Sequence, residues 1–96
     1  MTDSVDDKFY DRADAIIHLA NEQNHDIARG KVSASLMYAT ARFNAWVSAT
    51  GFQSGADMRE TKQKTIDFFV EQYRVVLEEN LDDYIRGFDG YMKKVN

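Results

Sequence analysis

The apolar residues of the chain recur at intervals of three and four along three stretches, which is the spacing of amphipathic helices. The clearest stretch runs from Lys31 to Thr50, KVSASLMYATARFNAWVSAT. One face of this helix two carries Val32, Leu36, Ala39, Phe43, Trp46 and Val47. The opposite face carries Ala34, Tyr38, Ala41, Ala45 and Ala49. A helix that is apolar on two sides must be covered on two sides, so we expect helix two to lie at the centre of the fold.

The stretch before it has a single apolar stripe and predicts helix one over about residues 4–25. The stripe consists of Phe9, Ala13, Ile16, Ile17 and Ala20. Asp3 or Ser4 is placed to cap the first free backbone N–H groups. Gly30 marks the turn into helix two, which is predicted over about residues 30–50 and is followed by Gly51 as a left-handed C-terminal cap.

The third stretch is unusually long and predicts helix three over about residues 55–94. Ser54 is placed to cap its start, with the acid Asp57 three positions later. The apolar positions that follow are Ile66, Val70, Tyr73, Leu77, Leu81, Tyr84, Phe88, Tyr91 and Val95. One continuous helix of this kind is about 60 Å long, against about 30 Å for each of the other two.

Helices of such unequal length cannot cover one another's apolar faces, and two arrangements resolve the mismatch. Helix three bends near Asn80, where the segment Asn80–Asp83 resembles a fresh helix start and like charges lie four residues apart at Glu78/Asp82 and Glu79/Asp83. Alternatively, it continues and buries its far half against a second copy of the chain. The charges favour the bend slightly, and both arrangements stay open.

Composition supports an all-α fold in one domain, residues 1–96. The chain has no proline and five single glycines, and long uninterrupted helices need few turn residues. We therefore expect a small bundle of three helices. A length of 96 residues suits a single domain.

Charge and composition also exclude several classes of function. A net charge of −4 argues against general nucleic-acid binding, which depends on basic side chains that neutralise phosphates. No apolar run approaches the roughly 20 residues of a membrane span, and the acidic N-terminus lacks the apolar core of a signal peptide. With no cysteine there is no disulfide framework and no zinc–thiolate site. We expect a cytoplasmic protein without a nucleic-acid or membrane partner.

Polar residues of the first two helices supply a candidate ligand-binding site. His18 follows Asp14 by four residues, so both lie on one helix face, as a general base and its orienting carboxylate would. Arg42 is the one charged residue in the body of helix two and suits a carboxylate or phosphate. The candidate residues are His18, Asn21, Arg42 and Asn44, in a polar pocket between the helices. The simpler interpretation is an exposed histidine and an arginine paired with a neighbouring acid, and it is the favoured one.

An acidic cluster in helix three is a weaker candidate for a divalent cation, which prefers several oxygen ligands. It consists of Glu78, Glu79, Asp82 and Asp83, and it lacks the glycine-containing loop of a calcium site. A solvated face or helix start explains it more simply. No nucleophile motif, phosphate loop or dinucleotide fingerprint occurs. We therefore assign no catalytic residue, no metal and no cofactor.

Several segments together resemble a family of short bacterial all-helical proteins described as a domain of unknown function. The segments are FYDRAD at Phe9–Asp14, HLANEQ at His18–Gln23, RGKVSAS at Arg29–Ser35, ARFNAWVSATGF at Ala41–Phe52 and EENLDDYI at Glu78–Ile85. The resemblance extends from Phe9 to Met92. It implies a small cytoplasmic helical protein and brings no activity, cofactor or catalytic residue with it.

The mismatch in helix length and the aromatic residues of the third helix lead to the first functional hypothesis. It is a non-enzymatic helical interaction module that forms a homodimer through its C-terminal helix, with an unidentified protein partner as a further option. The alternative, from a different class, is a protein that binds a small anionic ligand, or a weak acid–base enzyme, with its pocket between helices one and two.

Overall fold

The computed structural model describes residues 6–93, and this part of the chain consists of five α-helices without a strand. The helices are α1 (Phe9–Gln23), α2 (Arg29–Ala49), α3 (Gly55–Glu60), α4 (Lys62–Arg86) and α5 (Phe88–Met92). The prediction of an all-α protein is confirmed for the described residues. The prediction of three helices is not, because the expected third helix is divided into α3, α4 and α5.

The chain divides into two compact units between Val47 and Ser48. The first unit contains α1 and nearly all of α2. The second contains the last residues of α2 together with α3, α4 and α5. The single domain expected for residues 1–96 stays a prediction. None of the described helices combines the length and the apolar character that crossing a membrane requires.

The first two predicted helices are confirmed, but helix one begins later than predicted, because α1 starts at Phe9 and residues 6–8 are not helical. The other ends differ from the prediction by one or two residues. α1 ends at Gln23, and α2 begins at Arg29 and ends at Ala49. The predicted start of helix one near Ser4, capped by Asp3 or Ser4, lies outside the described residues. The same is true of Val95, the last apolar position of the predicted third helix.

Asp6 fixes the residues that lead into α1, although the N-cap residue Lys8 forms no side-chain capping hydrogen bond. The Asp6 carboxylate accepts a hydrogen bond from the Lys8 backbone N–H at 2.9 Å. Arg12 donates to both oxygens of the same carboxylate, at 3.2 and 2.9 Å. The bonds from Arg12 and from the Lys8 backbone hold the pKa of Asp6 below its ordinary value.

Gly51 does not form the predicted left-handed cap, since no glycine within residues 6–93 has a positive φ angle. The end of α2 tightens instead into a turn of the 3₁₀ kind. The Gly51 N–H donates to the Ser48 carbonyl at 3.1 Å, and the Phe52 N–H donates to the Ala49 carbonyl at 3.1 Å. These bonds satisfy carbonyl groups at the end of α2, which is what the N–H groups of a left-handed cap would otherwise do.

Helix α2 is not the covered central helix that its two apolar faces predict. Among residues 6–93 only Val32, in the first turn of α2, is buried. Phe43 and Trp46 are each 63% exposed, with ring centroids 5.8 Å apart. The expectation is wrong for the single chain. The other helix of the same unit, α1, is shorter, since its 15 residues span about 22 Å and the 21 residues of α2 span about 32 Å.

The first interruption of the predicted third helix is at Thr61. Ser54 caps α3 as predicted, because its Oγ accepts from the Asp57 N–H at 3.1 Å. After six residues the backbone leaves the helical region at Thr61, with φ −108° and ψ 11°. The Thr61 hydroxyl donates to the Met58 carbonyl at 3.4 Å, a local bond that competes with regular helix geometry.

Asn80 does not interrupt the helix, so the bend at this residue, one of the two arrangements left open, does not occur. It lies inside α4, where its Nδ2 donates to the Val76 carbonyl at 2.8 Å, one turn back along the helix. The like-charge repulsion expected nearby is reduced because Glu78 is paired with Arg74 at 3.1 Å. The second interruption lies instead at Gly87, where φ is −105° and ψ is 23°. The 25 residues of α4 span about 37 Å.

Replacing Ser54 tests whether its cap defines α3. We expect Ser54→Ala to lower the free energy of unfolding by about 1 kcal/mol, because the Asp57 N–H loses its acceptor. Ser54→Asp should keep most of the native free energy of unfolding, because an aspartate can accept the same hydrogen bond. Urea unfolding followed by circular dichroism measures the difference. Ser35→Ala, in the middle of α2 and exposed, is the matched control and should be neutral or slightly stabilising. Equal effects of the two alanine variants would contradict the assignment of the cap.

Candidate functional site

An exposed apolar stripe runs along α4, at steps of three and four residues. We call it the α4 stripe, and it consists of Ile66, Val70, Tyr73, Leu77, Leu81 and Tyr84. Their exposed fractions lie between 40% and 61%. No residue of α3, α4 or α5 is buried. Soluble monomers rarely leave a contiguous apolar surface of this kind open, so the stripe is the candidate functional surface of the second unit.

Arg74 joins two acidic residues on the helix surface beside the stripe. Its Nε and Nη2 donate to the two carboxylate oxygens of Glu71, at 3.2 and 2.8 Å. Its Nη1 donates to Glu78 at 3.1 Å. The paired hydrogen bonds hold the pKa of Glu71 below its ordinary value and raise that of Arg74. All three side chains are well exposed, so the network contributes little to stability and mainly fixes where these charges lie.

Tyr91 holds the corner where α4 passes through Gly87 into α5. Its hydroxyl donates to Asp83 Oδ2 at 2.8 Å, and its ring packs against Tyr84 with centroids 4.5 Å apart. The hydrogen bond to Asp83 and the negative charge of that carboxylate raise the pKa of Tyr91. Gly87 allows this approach, because a Cβ at that position would lie 3.1 Å from Tyr91 Cε2. The helix is therefore interrupted at the same residue, Gly87, against which the Tyr91 ring packs.

A shallow depression of about 410 Å³ lies at this corner and is open to solvent. It is lined by Asp83, Arg86, Gly87, Gly90 and Tyr91. The cation at its edge already faces an acid, since Arg86 Nη2 is 3.8 Å from Asp83 Oδ1. The depression therefore offers no strong, unused charge to a ligand.

The four predicted ligand-binding residues lie on the two helices of the first unit. His18 and Asn21 are three residues apart on α1 and neighbour each other, whereas Arg42 and Asn44 are two apart on α2 and point to different sides. His18, Asn21 and Arg42 are exposed, and Asn44 is half-buried. His18 Nε2 lies 3.4 Å from Glu22, one turn after it, rather than beside Asp14. The convergence of the four residues on one pocket stays a prediction.

Two of the four residues in the acidic cluster of α4 have a partner within the chain. Glu78 pairs with Arg74, and Asp83 accepts from Tyr91. Across residues 6–93 no group of three or more His, Cys, Asp or Glu side chains is arranged to hold a metal ion. Glu78 and Asp83 thus serve contacts within the α4–α5 region.

Two of these contacts were not identified from the sequence. The sequence does indicate the ion pairs of Arg74, because Glu71 lies three residues before it and Glu78 four residues after it. The pair of Asp83 and Tyr91 has none, since residues eight apart approach only when the helix is broken between them.

Comparisons with known proteins agree with the resemblance noted in the sequence. The family model described as "Protein of unknown function (DUF3144)" matches residues 9–85. The NMR structure of the protein NB7890A from Shewanella sp is similar, with a TM-score of 0.78 and 40% sequence identity. The similarity covers 96% of this chain and 98% of that one. No curated protein matches the chain.

Two glycines of the C-terminal corner form a matched pair for testing its packing. Gly90→Ala should stabilise the protein by about 0.5 kcal/mol, because its Cβ meets nothing within 4 Å and alanine is the better helix former. Gly87→Ala should stabilise the protein less than Gly90→Ala or not at all, and it should displace the Tyr91 ring. The pKa of Tyr91 then falls toward its ordinary value, which an absorbance titration compared with Tyr91→Phe detects. An unchanged Tyr91 pKa in Gly87→Ala would contradict the packing described above.

The pair of Arg74 and Glu71 predicts a defined dependence on pH. A carboxylate with a lowered pKa stabilises the fold above its unfolded pKa, and that stabilisation is lost as the pH falls through the folded value. Arg74→Gln should therefore raise the Glu71 pKa and make stability less sensitive to acid. Carboxyl NMR titration and urea unfolding between pH 7 and about pH 3 measure both effects. Arg59→Gln is the control, and an equal rise of the Glu71 pKa there would refute the assignment.

Proposed function

We propose that this chain, which belongs to the DUF3144 family, is a non-enzymatic helical interaction module that self-associates as a homodimer through α4. The observation that carries the proposal is the α4 stripe. It comprises six large apolar side chains in regular helical register, each between 40% and 61% exposed. Burial of such surface is the dominant favourable term in most protein association.

The burial pattern supports a partner for the second unit. A domain of this length normally buries most of the surface that its unfolded chain exposes. Here α3, α4 and α5 contain no buried residue, although their apolar positions follow a clear helical period. A sequence that maintains an amphipathic pattern over 25 residues of α4 has a face built to be covered.

A second copy of the chain is the simplest partner for such a face. Most soluble oligomers are homo-oligomers, and two-fold dimers are the commonest among them. In a two-fold dimer the same patch on both copies forms the interface, so one stripe per chain is sufficient. The aromatic residues Tyr73 and Tyr84 in this stripe are of the type enriched at interface centres.

The proposal also places the module in a bacterial cytoplasm. The similar structure from Shewanella supports a bacterial setting. Fractionation of cells that express a tagged chain would test the location, and recovery in the periplasm or the membrane fraction would count against it.

Two aromatic residues of α4 provide a matched test of the interface. Tyr73 lies on the α4 stripe and is 53% exposed, while Phe68 lies on the far side of the helix and is 58% exposed. We expect Tyr73→Glu to raise the dimer dissociation constant at least tenfold, because it places a charge in apolar contact, and Phe68→Glu to leave it unchanged. Sedimentation equilibrium over micromolar concentrations measures both. A monomeric native chain, or equal effects of the two variants, would sink the proposal.

A further inference from the structure

We infer that association and folding of this chain are a single step, so that the helices are stable only in the dimer and a separated copy unfolds. This coupling rests on the proposed self-association through α4 and states what that association controls. It follows from how little of each unit is buried, an observation that concerns α1 and α2 as much as the α4 stripe.

Neither unit, taken by itself, contains a hydrophobic core within residues 6–93. In the first unit, α1 has no buried residue and α2 has one, Val32. Ile16 and Ile17 belong to the apolar stripe of α1, yet they are 55% and 51% exposed. In the second unit, no residue of α3, α4 or α5 is buried. The apolar residues of both units therefore have the spacing of core positions and the exposure of surface positions.

Local interactions do not replace the missing core. Helices α1, α2 and α4 have 15, 21 and 25 residues, and most of the stability of such helices in proteins comes from packing of an apolar face. The ion pairs of Arg74 and the cap at Ser54 join residues within about one turn of each other. The bond from Tyr91 to Asp83 reaches eight residues along the chain. None of these contacts packs one long helix against another.

A chain of this size has few routes to a stable fold without a core of its own. Small units commonly depend on disulfides, on a structural metal or on oligomerisation. The absence of cysteine from the sequence excludes disulfides. Oligomerisation is the route that the exposed apolar surface of both units supports.

The α4 stripe has the composition of an obligate interface. Obligate homodimers have apolar interfaces that resemble a domain core cut in half, and they often have no stable folded monomer. The six residues of the stripe are all aliphatic or aromatic, and each is 40–61% exposed. Separation of the two copies would return this surface to water and remove the packing that keeps α4 helical.

This coupling makes the concentration of the chain the control of its structure. Above the dissociation constant the chain is a folded dimer, and below it the chain is an unfolded monomer that proteases can cleave. Such a module presents its surfaces only when enough of it has been made. Exchange of copies between two dimers also requires unfolding.

Dilution tests the coupling directly, because it separates the copies without changing the sequence. We expect the far-ultraviolet circular dichroism signal and the dimer fraction from sedimentation velocity to fall together over the same concentrations. The urea midpoint should rise by about 0.5 M for each tenfold increase in chain concentration, because one dimer yields two unfolded chains. A chain that stays helical where it is monomeric, or a urea midpoint that does not depend on concentration, would overturn the inference.

A tandem chain is the matched control for dilution. Two copies are joined by a flexible Gly/Ser linker of about 40 residues, whose average reach is close to the length of α4. The linker keeps the copies at a high effective concentration toward each other. We expect the tandem chain to stay helical at dilutions at which the single chain unfolds. Equal loss of helicity in both would overturn the inference, since the loss would then not come from separation of the copies.

Two variants of α4 distinguish the coupling from the proposed function. At a concentration at which Tyr73→Glu is monomeric, it should have lost its helical signal, whereas Phe68→Glu should keep both the dimer and the signal. A monomeric Tyr73→Glu chain with native helicity would overturn the coupling and leave the proposed dimer standing. A native chain that is monomeric at all concentrations tested would overturn both.

Discussion

Apolar side chains that the chain itself leaves uncovered are the constraint on which this structure depends. The 25 residues of α4 maintain a helical apolar period, yet no residue of that helix is buried. The hydrophobic effect makes such surface costly in water in proportion to its area. Ion pairs such as that of Arg74 with Glu71 are exposed and cannot substitute for a core. The proposed dimer would remove this apolar surface from water and so stabilise the second unit.

Along the stripe α4 is one uninterrupted helix, and the apolar side chains of the stripe are exposed. Its two interruptions, Thr61 and Gly87, lie outside the residues of the stripe. Asn80 lies within the helix, and its side chain donates to the Val76 carbonyl. At the C-terminal corner Tyr91 donates to Asp83 and packs against Tyr84, the last residue of the stripe, which stays 47% exposed.

Helical periodicity predicted the fold class and much of the helix pattern, because apolar spacing and turn residues are local properties of the sequence. The end of α1, the limits of α2 and the cap at Ser54 belong to this group. The break at Gly87 could not be predicted in the same way, since it depends on a tyrosine ring that packs against the glycine. Periodicity identifies which faces are apolar, but it does not say what covers them. Exposure of Phe43 and Trp46 is the clearest example.

The most direct test of the account is an isotope-filtered NOE experiment on a mixture of labelled and unlabelled native chains. It detects only contacts between different copies. Cross-peaks between copies from Tyr73 and Leu77, two residues at the middle of the α4 stripe, are the predicted result. A spectrum without contacts between copies, recorded at the millimolar concentrations of NMR, would contradict the central claim.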